Sequence, residues 1–158
     1  MNLSVRELQH SDIERITNYW LTSPDDYLIH MGVDLSRMPP RQDWIAMLTD
    51  QLNTPIDNKK SYAIIWQLDG ESIGHCNINK IIPGDEAYMH LHIWQPLTRQ
   101  KSIGVPLIKM TLPYFFNNYK LRNLFCEPHA HNAAPNKALP KAGFSLVKTY
   151  ITTPGSLS

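Results

Sequence analysis

The sequence predicts one mixed α/β domain, and three observations carry that prediction. Strand-like segments joined by tight turn signals occupy the middle of the chain, amphipathic helical patterns precede them, and a helix–strand–helix–strand succession follows. At 158 residues the chain suits a single domain, residues 1–158, with room for a real core.

The elements follow in order. Leu3 and Val5 alternate with polar residues as a first strand. Ser11 and Glu14 have the spacing of a capping box, with Ser11 as N-cap. Ile13, Ile16, Tyr19 and Trp20 then recur at helical spacing to about residue 21. A second helical turn opens at residues 23–27 and is broken at Pro39 and Pro40. Trp44, Ile45, Leu48 and Leu52 mark one apolar face of a helix over 41–52. Residues 62–68 read as a strand, Asp69-Gly70 as a hairpin turn, and 71–82 as the returning strand. A turn at 83–85 leads to a third strand over 87–94, which completes an antiparallel meander. Residues 103–117 form an apolar-sided helix whose first turn tolerates Pro106 and which Pro113 bends. A short strand (124–127), a helix (132–142) stopped by Gly143, and a last strand (144–152) end the succession.

Composition narrows the function classes. Hydrophobic residues make up 42% and charged residues 18%, ordinary for a soluble domain. A formal net charge of +1 gives no electrostatic reason to expect nucleic acid or an acidic membrane as partner. The first seven residues lack the apolar core of a signal peptide, and no run approaches membrane-spanning length. Cys76 and Cys126 lack CxxC spacing and read as reduced thiols of a cytoplasmic protein.

Chemistry concentrates where the meander ends. Residues 95–104 join a strand to a helix; small residues leave backbone N–H groups for an anion, the helix N-terminus adds positive potential, and Arg99 and Lys101 add charge. An ordinary turn with solvated basic residues fits the same spacing.

Arg99-x-x-Ser102-x-Gly104 resembles the pyrophosphate motif of the GNAT acyltransferases, Gln/Arg-x-x-Gly-x-Gly/Ala. Asn132, opening the last helix, and Lys141-Ala142-Gly143-Phe144, closing it, are similar to that family's second signature. The branch is most similar to ribosomal-protein N-acetylases and hydroxylysine (siderophore) acetylases, and the resemblance covers nearly the whole chain. It implies acetyl-CoA as co-substrate and a primary amine, of a small molecule or a protein N-terminus, as acceptor. It also implies a set of cofactor contacts: backbone amides of Lys101, Ser102, Ile103, Gly104 and Val105 at pyrophosphate, with the Arg99 and Lys101 side chains nearby. Ile93 and Trp94 would pair with the pantetheine arm, Asn132 would hydrogen-bond it, and Lys137 would reach the adenosine end.

The sequence departs from the family in three places. Ser102 replaces a motif glycine, so the turn there is expected to avoid positive φ. Leu139 stands where many relatives carry a tyrosine general acid. The closing strand after residue 152 is expected to be absent or supplied by a partner, which favours strand exchange in a homodimer.

Amine acetylation needs a neutral nucleophile, so a base titrating near neutrality helps. His90 and His92 alternate on one strand and project from the same face. The resemblance of His90-Leu91-His92-Ile93 to the hydroxylysine acetylases makes His90 the first choice of base; Glu127 is the second. Trp20, Tyr27, Met31 and Trp44 suit an acceptor pocket, although core packing is the better reading of the two tryptophans. Asp26 and Tyr27 are the acceptor-site choices. Two other readings stay open. The pairs His90/His92 and His129/His131 have spacing compatible with a metal site, which the phosphate motif disfavours. A GNAT-like module that binds acyl-CoA without turnover is the other.

Overall fold

The computed structural model describes residues 1–99 and 102–147. Strand β1 (Leu3–Glu7) leads through a 3-10 turn (His10–Asp12) into helix α1 (Ile13–Thr22), followed by α2 (Asp25–His30) and α3 (Arg41–Asn53). The meander follows as β2 (Ser61–Leu68), β3 (Glu71–Ile82) and β4 (Glu86–Ile93). Then come a short helix α4 (Pro96–Arg99), the long α5 (Gly104–Tyr119), β5 (Asn123–Cys126) and α6 (Ala133–Lys141). The five strands form one sheet in sequence order, antiparallel except for the parallel β4–β5 pair. This is the expected α/β domain. Of the last expected strand, residues 144–147 adopt no strand, and 148–152 lie outside the described residues.

Alternation along the strands divides the core into two layers. On one face Tyr62, Ile64, Trp66, Ile78 and Met89 pack against Leu107, Ile108 and Phe115 of α5. Trp66 Nε1 donates to Thr111 Oγ1 at 2.8 Å, and that hydroxyl donates to Leu107 O at 2.8 Å, which fixes α5 on the sheet. On the other face Ile65 meets Ile16, Trp20, Trp44 and Leu48 of α1 and α3. Trp20 and Trp44 are buried and stacked at 5.3 Å, so they belong to the core as expected.

Two local readings need correction. The capping box lies at Gln9 and Asp12 rather than Ser11 and Glu14. Asp12 accepts the Gln9 N–H at 2.8 Å and a two-pronged contact from Arg6 at 2.7 and 2.9 Å. A carboxylate offering four lone-pair sites to a guanidinium and an amide outcompetes a lone serine hydroxyl. Ile45 is 40% exposed; α3 buries only Trp44 and Leu48 fully. Among the described residues no helix is long and apolar enough to cross a membrane.

Candidate active site

The parallel ladder between β4 and β5 runs from Glu86↔Asn123 to Met89↔Cys126 and stops, while β4 continues to Ile93. The last residues of β4 therefore part from β5 and leave a wedge. On its other edge β4 stays paired with β3 as far as Gly74↔Ile93. Trp94 N–H bonds Ile73 O at 2.9 Å across to β3, so the backbone groups of the preceding residue, Ile93, point the other way, into the wedge. Of the two residues expected to line this edge, Ile93 does so and the Trp94 amide is spent on the sheet. Gly74 makes the approach of β3 and β4 feasible here: a Cβ at that position would lie 2.4 Å from His92 O and 3.1 Å from Ile93 Cα.

At the mouth of the wedge, Arg99 is held at the strand end. Its Nε donates to Ile93 O at 2.8 Å, a terminal nitrogen donates to Trp94 O at 3.3 Å, and the guanidinium lies 3.8 Å from the centre of the Tyr27 ring. Charge and fork geometry let one arginine cap two strand-end carbonyls and cover an aromatic face together. Lys101 lies outside the described residues. Ser102 has φ 55°, contrary to the expectation that it avoids positive φ. The position keeps a left-handed backbone although serine carries a Cβ, because the turn into α5 demands it.

Helix α5 then presents its first-turn amides. Gly104 and Val105 precede the first helical bond, from Leu107 N–H to Ile103 O at 3.2 Å, and Pro106 has no N–H to satisfy. The Ile103 side chain is buried in the core, so only its backbone serves the loop. Asn132 is the N-cap residue of α6 without a side-chain cap bond, and Lys137 is exposed on that helix. Leu139, in place of the expected tyrosine, is buried in the α5-side core.

The α1-side face of β3 and β4 is a polar surface of a kind unusual in a sheet interior. Register places His75 opposite His92, Asn77 opposite His90 and Asn79 opposite Tyr88. His92 is buried, its ring stacked 4.9 Å from His75 and edge-on 4.9 Å from Trp20. Its Nδ1 lies 2.9 Å from the Tyr19 hydroxyl, which is 2.8 Å from the Tyr27 hydroxyl. Trp94 Nε1 donates to His75 Nδ1 at 2.8 Å; an indole N–H only donates, so that imidazole nitrogen accepts. Burial, with a smaller push from His90, lowers His75 to about 3. His90 Nε2 lies 3.0 Å from Asn79 Oδ1, an acceptor, which assigns the proton to Nε2. Burial first and Lys80 second lower His90 to about 4. Desolvation disfavours each charged imidazolium, so both rings are neutral at neutral pH.

The remaining expected site residues are more dispersed. Glu127 is exposed just beyond β5, and Asp26 is exposed in the first turn of α2. His129 and His131 lie beside each other and His129 beside His30, rather than beside His90 and His92. Among the described residues no three His, Cys, Asp or Glu side chains converge as a metal site. Sequence reasoning missed Tyr19, His75 and Asn79. Tyr19 sits at core spacing on its helix, and the only clue to His75 is the meander register that puts it across from His92.

Comparison with known proteins agrees with this geometry. The family model described as acetyltransferase (GNAT) domain matches residues 2–145. No curated protein sequence matches the chain. Among solved structures, the ribosomal-protein-S5-alanine acetyltransferase from Vibrio fischeri superposes with a TM-score of 0.77 at 18% identity, covering 99% of this chain and 88% of that one. Spermidine N-acetyltransferase from Vibrio cholerae, in complex with CoA and spermine, gives 0.74 at 16% identity, covering 96% and 89%. The aminoglycoside acetyltransferase AAC(6')-Ib, with coenzyme A and kanamycin, gives 0.73 at 15% identity, covering 97% and 89%.

Proposed function

The chain belongs to the GNAT acetyltransferase family, and on that premise we propose that its histidine-lined sheet face prepares a primary amine, of a small molecule or a protein N-terminus, for acetylation. The enzyme is an N-acetyltransferase with acetyl-CoA as co-substrate. The observation that carries the reading is the junction of two features: the β4 edge that parts from β5 after Met89, and the face beside it with buried His75 and His92 and half-buried His90.

The residues present fit the co-substrate. The Ile93 backbone lies on a strand edge that β5 does not pair, its carbonyl held by Arg99, Ser102 holds the left-handed turn, and the Gly104 and Val105 amides open a 16-residue helix whose dipole favours an anion. Bound there, acetyl-CoA supplies an activated acyl carbon. This chain's own groups must orient the amine and remove its proton. A neutral imidazole has a basic nitrogen, and for His90 the bond to Asn79 leaves Nδ1 in that role. Placement rather than basicity favours His90 over Glu127: His90 lies half-buried on the sheet face beside the β4 edge and Glu127 is exposed beyond β5, while burial lowers His90 to about 4, below the near-neutral value that best suits a base. Arg99 joins the acceptor side to the cofactor side, since one guanidinium touches both the Ile93 carbonyl and the Tyr27 ring. Lys101, Asn132 and Lys137 complete the proposed cofactor set, with Asp26 and Tyr27 on the acceptor side.

A spermidine, kanamycin and alanyl-peptide panel with acetyl-CoA tests this reading, with His90→Ala and Glu127→Gln in parallel. Loss of turnover in the His90 variant with Glu127→Gln active supports the assignment; the reverse pattern moves the base to Glu127. The near-neutral charge supports an enzyme without nucleic-acid or membrane partners, and two cysteines without CxxC spacing support a cytoplasmic one. Light scattering tests the homodimer reading.

A further inference from the structure

We infer that Arg99 is a latch: it closes the β4 edge at Ile93 and ties α2 to it, and a chain that joins that edge releases both. The inference rests on the N-acetyltransferase reading above, because the pantetheine arm of the co-substrate is the chain that would join.

The latch is built by the turn that follows β4. Helix α4 is a single turn, with the Thr98 and Arg99 N–H groups bonded to Gln95 O at 3.1 and 3.2 Å, and it brings residue 99 back beside the strand. Thr98 is buried and anchors that turn. From there Arg99 Nε lies 2.8 Å from Ile93 O, the spacing of a ladder N–H, on the edge that β5 has left. The guanidinium thus takes the donor position that an added strand needs. Its contact with Trp94 O at 3.3 Å and its place 3.8 Å over the centre of the Tyr27 ring hold it there.

Seen from α2, the same contact is one of few. Leu28 is the buried residue of this six-residue helix. Tyr27 also meets the Tyr19 hydroxyl at 2.8 Å, and His30 lies with its ring 6.2 Å from that of His129. A helix this short does not hold itself, so its order depends on such ties. An incoming N–H and Arg99 Nε compete for Ile93 O, and the guanidinium stands on the edge the chain must follow. When the chain takes the carbonyl, Arg99 loses its strand-end bond, the Tyr27 face is uncovered and α2 is freer to open. Linkage makes the effect reciprocal: whatever weakens the hold on Tyr27 strengthens binding at the β4 edge.

Hydrogen exchange tests the latch without turnover. The Leu28 and Met31 amides, bonded to Pro24 O and Tyr27 O at 3.2 Å each, report on α2. Saturating CoA should speed their exchange by about 3- to 10-fold, the reverse of the slowing that a bound ligand ordinarily produces. In Arg99→Met they should exchange that fast from the start and not respond to CoA. Calorimetry reads the reciprocal effect. Tyr27→Leu should bind CoA about 3- to 10-fold more tightly than wild type, and Tyr27→Phe, which keeps the ring face, should return Kd to within about twofold of wild type. Arg99→Met is titrated with pantetheine, which has no phosphate for an arginine to meet, and should bind it more tightly than wild type does. Unchanged or slowed α2 exchange in wild type that binds CoA overturns the latch alone, as does a Tyr27→Leu or Arg99→Met protein with no gain in affinity. CoA that binds neither wild type nor Tyr27→Leu overturns the latch and the co-substrate reading together. A melting curve on each variant separates a loosened α2 from a lost fold, and the half-buried Tyr27→Leu site serves if Arg99→Met does not fold.

Discussion

Replacing Gly74 by alanine tests the packing on which the candidate site depends. The new methyl would lie 2.4 Å from His92 O, against 3.4 Å or more for an ordinary contact, and the obstacle is backbone with no flexible end to swing aside. Relief requires β3 and β4 to separate by about 1 Å, since a close-packed interior has no void to absorb the atom. That displacement takes the Trp94 N–H to Ile73 O bond, now 2.9 Å, beyond hydrogen-bonding distance. Overpacking of about 1–3 kcal/mol and one lost ladder bond of about 0.5–1.5 kcal/mol give an expected destabilisation of about 2–4 kcal/mol. At about 2–4 °C per kcal/mol for a chain of this size, Tm should fall by about 4–16 °C. Gly104→Ala is the control: its Cβ would meet Ala138 Cβ at 3.8 Å, an ordinary contact, so stability should hold or rise slightly. Calorimetry or urea titration of both variants is sufficient. A Gly74→Ala protein within 1 kcal/mol of wild type would refute the argument that backbone contact at His92 sets the strand spacing.

Other perturbations have equally defined outcomes. Ser102→Gly relieves a left-handed serine at φ 55° and should raise stability by about 1 kcal/mol after glycine's greater unfolded entropy is counted; a lower Tm contradicts the strain. His75 and His90 are held below the ordinary histidine value of 6.5, at about 3 and about 4, so between pH 6.5 and those values the unfolded chain binds more protons than the folded one. Their stability contribution is therefore complete above pH 6.5 and lost as pH falls through that window. The His90 share is about 2 kcal/mol between pH 7 and 5, and His90→Gln should flatten the urea-midpoint profile by about that amount; an unchanged slope contradicts the burial argument. Asp12→Ala leaves Arg6 and the Gln9 amide without their shared partner and should cost about 2–4 kcal/mol by urea titration, with part recovered when Arg6→Met is added. No recovery would mean that the cap, not the ion pair, carries the loss.

The fold was largely legible because its signals are local. Asp69-Gly70 and the alternation on either side of it define a hairpin, although a register shift between Trp66 and Gln67 departs from the pairing the turn alone would set, and the α5 pattern predicts which face meets the sheet. Errors arose where a distant partner decides. Asp12 took the cap from Ser11 because Arg6 of β1 reaches it. Ile45 lies on the apolar side of the pattern, yet α3 meets the core through buried Trp44 and Leu48 and partly buried Leu52 while Ile45 stays exposed. The phosphate loop was readable as a motif, but its arginine turned to the strand end and Tyr27, a choice made by carbonyls and a ring that only folding assembles. The polar face was half legible: His90 and His92 alternate visibly, whereas Tyr19 looks like any buried helical tyrosine until its hydroxyl meets His92.

The central claim is tested most directly by incubating the purified chain with acetyl-CoA and a panel of small primary amines and N-terminal peptides, with mass spectrometry of the amines and assay of released thiol. The account predicts one amine class gaining a single acetyl group in step with thiol release, and loss of both when His90 and His92 are replaced. Tight acetyl-CoA binding with neither acetylated amine nor released thiol across the panel would contradict it.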